Sequence, residues 1–89
     1  MLPGATCLDL FAGSGVLGME AASVGAGEVV LVEQHAETAK HLAQSIEILK
    51  LRDICTLQIT DARSFLKRCH SPFDVIFVDP PFADTELLE

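Results

Sequence analysis

The segment Asp79-Pro80-Pro81-Phe82 has the strongest chemical signature in this sequence. Pro80 restricts Asp79 to extended backbone angles, and two successive prolines stiffen the turn and remove two N–H donors. The segment therefore presents hydrogen-bond acceptors beside an aromatic ring. Such acceptors orient an exocyclic NH2 group so that its nitrogen lone pair points at an electrophile, while Phe82 stacks on the base. A rigid Pro-rich turn without a ligand is the alternative.

A second candidate site begins at the glycine-rich turn Ala12-Gly13-Ser14-Gly15. Together with Gly18 this turn gives the pattern G-x-G-x-x-G between a predicted strand and a predicted helix, and Glu33 ends the second predicted strand. Glycines here let the backbone turn tightly under a ligand, and a carboxylate at the end of the second strand reaches a ribose diol. The spacing favours a nucleotide-like ligand over a purely structural turn, and both a dinucleotide and another adenosine compound fit it.

Asp9 distinguishes between these two ligands. A dinucleotide would place its pyrophosphate on the turn, where the nearby Asp9 carboxylate would repel it. S-adenosylmethionine has no phosphate and carries a cationic ammonium and a cationic sulfonium, which a carboxylate attracts. Asp9 therefore favours S-adenosylmethionine, although a side-chain hydrogen bond that stabilises the turn would also explain an aspartate here.

Asp61 lies between the third predicted strand and a short predicted helix. Aspartate is a preferred N-cap residue, so a structural role is expected at this position. The same carboxylate can also accept a hydrogen bond from an adenine amino group, with the neighbouring backbone amide completing the contact.

The elements that carry these residues alternate between strands and helices. Strands are predicted over residues 5–11, 29–32, 54–60 and 74–78, and helices over residues 16–22, 35–50 and 62–69, with another helix opening at Leu87 and Leu88. Such alternation predicts an α/β fold with a parallel sheet in the order 3-2-1-4. The C-terminal ends of strands one, two and four then meet at one crevice, where the candidate residues collect.

The composition limits what the chain can be. In its 89 residues, 49% are hydrophobic and the net charge is −7, which excludes a disordered chain. This is more apolar than expected for so small a domain, so some apolar residues pack in a layered core or against a further segment. An acidic chain attracts RNA only through a local basic patch or a further segment; Arg63, Lys67 and Arg68 form such a cluster, although a solvated helix face is the more common explanation.

Other sequence features bear on location. No transmembrane stretch or signal peptide is present, the three cysteines show no CxxC pairing, and the histidine spacing matches no metal site. We therefore expect a cytoplasmic protein with reduced thiols, no bound metal and no membrane partner.

The chain resembles the Rossmann-like S-adenosylmethionine-dependent methyltransferases that act on exocyclic amines. The resemblance lies in residues 8–15, Val32-Glu33, Asp61-Ala62 and the Asp79–Phe82 segment. The turn and the following Gly18-Met19-Glu20-Ala21 are most similar to the bacterial small-subunit (16S) ribosomal RNA guanine-N2 methyltransferases. The resemblance implies transfer of a methyl group to the N2 amine of a guanine, in small-subunit rRNA or in an assembling ribosomal particle. It covers nearly the whole chain.

The resemblance also assigns residues. It makes Asp79, Pro80, Pro81 and Phe82 the group that holds the target guanine. It assigns the methionine half of the cofactor to the turn and Asp9, the ribose to Glu33 and the adenine to Asp61. The full set that it implies for S-adenosylmethionine is Asp9, Phe11, Ala12, Gly13, Ser14, Gly15, Glu33, Asp61 and Ala62.

Two departures from the family pattern stand out. Ser45 replaces an expected asparagine, which puts a local helix–loop contact in doubt. The family also has a segment before the first strand and further strands after the fourth, including an antiparallel hairpin. We therefore expect residues 1–89 to be a single partial domain, the cofactor-binding half, inactive alone and prone to self-association through the edge of the fourth strand.

Three other functions fit parts of the pattern. DNA adenine or cytosine methyltransferases and protein glutamine methyltransferases use a similar Pro-Pro loop, often with Asn and Tyr at its ends. A nicotinamide dinucleotide-binding module would explain the glycines and Glu33 but gives the Pro-Pro loop no role. A non-catalytic remnant would bind neither ligand.

Overall fold

The computed structural model describes residues 3–13, 15–69 and 72–78, which form four strands and three helices in strict alternation. The elements are β1 (Thr6–Asp9), α1 (Val16–Ser23), β2 (Glu28–Glu33), α2 (Ala36–Ile48), β3 (Cys55–Ile59), α3 (Ala62–Arg68) and β4 (Val75–Phe77). The predicted order of elements is confirmed.

The four strands form one parallel sheet in the order β3-β2-β1-β4, as predicted. Asp9, the last residue of β1, is aligned with Leu31 of β2 and with Phe77 of β4. Glu33, the last residue of β2, is aligned with Ile59 at the end of β3. Because all the strands run in one direction, their C-terminal ends lie along one edge of the sheet.

The sheet is covered on both faces by helices. On one face, α1 and α2 bury side chains such as Leu42 against Leu31 of the central strand β2. On the other face, Phe65 of α3 packs with Val30 and Val32 of the same strand. A strand buried on both faces has a continuous apolar sequence, and this explains the run of valines and leucine in β2.

A carboxylate clamps the start of β4 to the start of β1. Oδ2 of Asp74 accepts hydrogen bonds from the backbone N–H of Thr6 at 2.8 Å and from its hydroxyl at 3.1 Å. The backbone N–H of Asp74 in turn donates to the carbonyl oxygen of Thr6 at 2.8 Å. These contacts fix the register between strands that are far apart in sequence.

The strand β4 lies at one edge of the described sheet. Among the described strands it pairs with β1 alone, and Ile76 and Val78 are 51% and 61% exposed. This agrees with the predicted position of the fourth strand. Self-association through this edge stays a prediction.

Most ends of the observed elements differ from the predicted ones by one or two residues: β2 and α1 are longer than predicted, and the other elements are shorter. His35 and Leu49 cap α2 instead of belonging to it, and β1 ends at Asp9 because the chain then enters the glycine turn. The predicted helix at Leu87 and Leu88 lies outside the described residues. None of the helices in the described part of the chain has both the length and the hydropathy needed to cross a membrane.

The cysteines differ in burial. Cys7 and Cys55 are buried, whereas Cys69 is only half-buried because it follows the last turn of α3. Loss of hydration on burial raises the pKa of the Cys7 thiol, with a further contribution from the negative charge of Asp74. Burial likewise raises the pKa of Cys55.

Candidate ligand-binding site

The turn after β1 depends on glycine for its backbone conformation. Gly13 and Gly15 have φ angles of 53° and 80°, in the left-handed region that side chains disfavour. The N–H of Gly15 donates to the carbonyl of Ala12 at 2.7 Å, and the carbonyl of Gly15 accepts from Met19 N–H at 2.9 Å as α1 begins. The turn therefore passes directly into the helix.

Gly18 lets α1 lie close against the sheet. A Cβ atom at this position would overlap with a methyl group of Leu31 in β2 and would lie 3.5 Å from Oδ2 of Asp9. The third glycine of the G-x-G-x-x-G pattern thus serves close helix–strand packing. The same contact shows that the Asp9 side chain, only 2% exposed, lies on the α1 side of β1.

The Glu33 carboxylate joins the glycine turn to the start of α2. Oε1 accepts a hydrogen bond from Gly13 N–H at 2.9 Å, and Oε2 accepts one from His35 N–H at 2.8 Å. Glu33 is 6% exposed, so these two donors stabilise a charge that is largely removed from water. A carboxylate has about four lone-pair positions, which leaves acceptor capacity on both oxygens for a ligand.

Asp61 caps α3, as predicted. Its Oδ1 accepts from the backbone N–H of Ser64 at 2.8 Å, and its Oδ2 accepts from the Ser64 hydroxyl at 2.8 Å. The Ser64 N–H, followed by the Ser64 hydroxyl, holds the pKa of the Asp61 carboxyl below its ordinary value. The side chain is exposed and therefore stays accessible to a ligand.

A cavity of about 360 Å³ lies at the C-terminal ends of β1, β2 and β3. Its size falls within the range of about 300–1,000 Å³ usual for small-molecule sites. The residues that line it are Leu10, Phe11, Gly13, Val32, Glu33, Gln34, His35, Thr38, Thr60, Asp61, Ala62 and Arg63. Apolar side chains thus lie next to two carboxylates, an arrangement that can bind a flat apolar ring together with a hydroxyl-bearing sugar.

Five of the predicted cofactor residues line this cavity: Phe11, Gly13, Glu33, Asp61 and Ala62. Asp9, Ala12 and Gly15 are buried and do not line it. Their contacts with a cofactor stay predictions. Ser14 and the segment Asp79, Pro80, Pro81 and Phe82 lie outside the described residues, so their predicted roles are untested.

The cavity is also lined by residues that the sequence did not identify as cofactor ligands. His35, Thr38 and Arg63 line it through their positions at the starts of α2 and α3. Each lies within a few residues of a predicted site residue, either Glu33 or Asp61. The first helical turn after each strand end was therefore the signal that would have found them.

Comparison with known proteins identifies relatives of this chain. A family model described as Conserved hypothetical protein 95 matches residues 1–89. Ribosomal RNA small subunit methyltransferase D of Escherichia coli strain K12 is 40% identical over 78 residues, covering 88% of this chain and 39% of that protein. The chain therefore spans about two fifths of the length of this curated relative.

Solved structures share the same fold. The putative methyltransferase yhhF from Escherichia coli superposes with a TM-score of 0.86 at 38% identity, over 92% of this chain and 46% of that chain. Pyrococcus horikoshii TYW2, solved in complex with MeSAdo, superposes with a TM-score of 0.67 at 32% identity, over 71% of this chain and 24% of that one. The fold is thus the Rossmann-like fold of methyltransferases, and this chain covers about half of the first of these structures.

Proposed function

This chain belongs to the family described as Conserved hypothetical protein 95, and on that premise we propose that its cavity binds S-adenosylmethionine for the methylation of ribosomal RNA. Two comparisons support the proposal. One relative is named as a methyltransferase of small-subunit ribosomal RNA, and one structural neighbour was solved with an analogue of S-adenosylmethionine. Because the chain spans only part of these proteins, the activity is proposed for the protein that contains these residues.

The observation that carries the proposal is the convergence of Gly13, Glu33 and Asp61 on one cavity. Gly13 follows β1, Glu33 ends β2 and Asp61 follows β3, and the parallel sheet brings them together. The residues fit the cofactor in kind, since the Glu33 carboxylate has free acceptor positions for ribose hydroxyls and the apolar residues around it suit an adenine ring.

Each residue then has a definite role. Glu33 accepts hydrogen bonds from the ribose, and Asp61 accepts one from the adenine amino group. Phe11 and Ala62 form part of the cavity wall. Asp9 and the turn from Ala12 to Gly15 contact the methionine half of the cofactor, and the negative charge of Asp9 favours the cationic ammonium and sulfonium groups.

The proposed substrate is the N2 amine of a guanine in small-subunit rRNA, either free or within an assembling particle. When bound, S-adenosylmethionine would supply its sulfonium methyl group. The amine nitrogen would take this group by in-line displacement, with S-adenosylhomocysteine as the leaving group. Asp79 accepts hydrogen bonds from the amine and aligns it, and Phe82 stacks on the base within the turn set by Pro80 and Pro81. The methylated nitrogen would then release one proton to water, so Asp79 need not act as a strong base.

The comparisons favour this proposal over the other functions. The family relatives are methyltransferases, which supports S-adenosylmethionine over a nicotinamide dinucleotide as the ligand. The name of the curated relative specifies ribosomal RNA, which supports RNA over DNA or a protein glutamine as the substrate.

Two measurements test the proposed function. Calorimetric titration of this chain with S-adenosylhomocysteine and with NAD should show binding of the first only. The protein that contains these residues should transfer labelled methyl groups to small-subunit rRNA, and mass spectrometry of the digested RNA should find N2-methylguanosine. A methyl group on another atom or on DNA would refute the guanine-N2 assignment.

A variant separates binding from catalysis. In that protein, Asp79→Ala should leave affinity for S-adenosylhomocysteine nearly unchanged and lower the methylation rate by at least about tenfold, because it removes the alignment of the amine. Wild-type turnover in this variant would exclude Asp79 from the reaction.

A further inference from the structure

The outer side of α3 carries Arg63, Lys67 and Arg68, which we call the α3 basic face. These residues are half of the six lysines and arginines in the chain. All three are exposed. Arg63 and Lys67 lie on the side of the helix opposite Phe65, which is buried against the sheet, and Arg68 is the last residue of the helix. The α3 basic face therefore points away from the core.

The charges of this face are not neutralised by neighbouring side chains. Within the described residues, the ion pair that the structure contains joins Arg52 and Glu47 at 3.2 Å, away from α3. The helix itself contains no acidic residue, and both oxygens of its capping residue Asp61 are bound by Ser64. Three positive charges thus lie together on an acidic chain.

The position of this face relates it to the candidate site. Arg63 lines the proposed cofactor cavity. A second, open groove of about 490 Å³ beside the end of β3 is lined by Lys67 and Arg68 together with Thr60, Ser64 and Ile59. At about 1.5 Å per residue, Arg63 and Lys67 are separated by about 6 Å along the helix axis. The positive surface therefore continues from the edge of the cavity along α3, and hydroxyl groups lie next to it.

We propose that the α3 basic face binds the phosphodiester backbone of the substrate RNA, an inference that rests on the proposed function for the class of substrate. Lysine, arginine and hydroxyl side chains are the usual phosphate ligands in such complexes. The net charge of −7 does not prevent this, because at physiological ionic strength charges more than about 8 Å apart are largely screened. RNA near α3 therefore interacts mainly with the local positive charge.

The lysines in and just after α2 differ from the α3 basic face in their neighbouring charges. Lys40 follows Glu37 by three residues within α2, a spacing that makes the two side chains neighbours on the helix. Lys50, just after α2, lines one groove together with Glu47 and Asp53, so both positive charges are accompanied by negative ones. The α3 basic face has no such accompaniment in the described structure, which favours a role in anion binding.

Paired variants test the proposal in the full chain. The variant K67Q/R68Q removes two charges from the α3 basic face without changing a residue of the cofactor cavity. The control K40Q/K50Q removes the same charge elsewhere, so both variants have a net charge of −9 in place of −7. Binding of a fluorescein-labelled single-stranded oligoribonucleotide with a small-subunit rRNA sequence is measured by anisotropy over a range of salt concentrations.

We expect RNA binding to weaken in K67Q/R68Q and not in K40Q/K50Q. Each phosphate contact contributes about 0.7 to the salt slope for a single strand, so K67Q/R68Q should lower the slope of log K against log salt by about 1.4. The control should keep the wild-type slope. Equal losses in both variants, or no loss in either, would overturn the proposal. Displacement of the RNA by polyglutamate as readily as by unlabelled RNA would also overturn it, because the face would then bind any polyanion.

A separate measurement keeps this test distinct from that of the proposed function. Calorimetry with S-adenosylhomocysteine should give the wild-type affinity for both paired variants, which also shows that each is folded. Suppose that the wild-type chain does not bind S-adenosylhomocysteine, and that RNA affinity falls in K67Q/R68Q but not in K40Q/K50Q. The proposed cofactor would then be wrong, and the proposal for the α3 basic face would stand.

Discussion

Oε1 of Glu33 accepts a hydrogen bond from the backbone N–H of Gly13 at 2.9 Å, which joins the end of β2 to the turn after β1. Oε2 of the same side chain accepts from His35 N–H at 2.8 Å, at the start of α2. Both donors are backbone groups, so a single buried carboxylate positions two segments that line the cavity. Glu33 therefore organises the site in addition to its proposed contact with the ribose.

Substitution of Glu33 should weaken both the site and the fold. Glu33→Ala removes the acceptor for both N–H groups, and Glu33→Gln turns an NH2 group toward one of them. Each should weaken S-adenosylhomocysteine binding by about 1–3 kcal/mol, the scale of hydrogen bonds to a charged group. Calorimetry measures this effect, with Glu37→Gln, an exposed residue of α2, as the control. Unchanged affinity in Glu33→Ala would refute the ribose assignment.

The glycine turn gives a second prediction. Gly15→Ala should lower the free energy of unfolding by about 1–2 kcal/mol from the left-handed backbone. The free energy of unfolding should fall by about 1–3 kcal/mol more because the new methyl group overlaps with the side chains of Leu42 and Met19. Gly4→Ala is the matched control, since Gly4 has the same φ of 80° and no atom within 4 Å of the added Cβ. Denaturant unfolding should show the larger loss in Gly15→Ala; equal losses would exclude the packing effect.

The proximity of Glu33 and Gly13 was predictable because parallel strands end at one edge of the sheet. The order of strands and helices in the sequence was enough to bring Gly13, Glu33 and Asp61 to this edge, since each of them follows or ends a different strand. The clamp between Asp74 and Thr6 was not predictable, since nothing in the local sequence of either residue identifies a partner in a distant strand.

The face of the sheet on which Asp9 lies was also not predictable from the sequence. Its distance along the chain from Gly13 predicts a carboxylate near the turn, and this says nothing about which face of the sheet it occupies. Side chains alternate along a strand, so Asp9 shares the α1 face with Cys7 while Leu8 points toward α3. His35 and Arg63 were missed for a related reason, since the first turns of α2 and α3 meet at the cavity only in three dimensions.

The cap of α3 gives a prediction on acid stability. Since the pKa of Asp61 is lowered in the folded chain, its ionised form stabilises the fold above the unfolded pKa of about 3.9, and that contribution is lost as the pH falls through the folded value. Asp61→Asn should therefore flatten the loss of thermal stability below about pH 4. Ser64→Ala keeps the N–H donor and loses the hydroxyl. Its profile of thermal stability against pH should therefore lie between those of the wild type and Asp61→Asn. Parallel wild-type and Asp61→Asn profiles would contradict this account.

The exposed edge at β4 predicts self-association of the chain. Ile76 is 51% exposed on a strand that pairs with β1 alone among the described strands, and apolar edges pair readily with other chains. Ile76→Lys should shift the molecular mass measured by light scattering toward the monomer. Ile48→Lys adds the same charge at an exposed site on α2 and should leave association unchanged. A wild-type chain that stays monomeric at high concentration would show that this edge does not associate.

The most direct test of the central claim is an NMR titration of the ¹⁵N-labelled chain with S-adenosylhomocysteine, followed through the backbone amides of Gly13 and His35. Both amides donate to Glu33 and lie in the wall of the cavity, so they report on a ligand that reaches this carboxylate. Both resonances should show saturable shifts that are abolished by Glu33→Ala and are absent with NAD. Saturable binding that leaves both amides unshifted, or shifts that NAD produces instead, would contradict it.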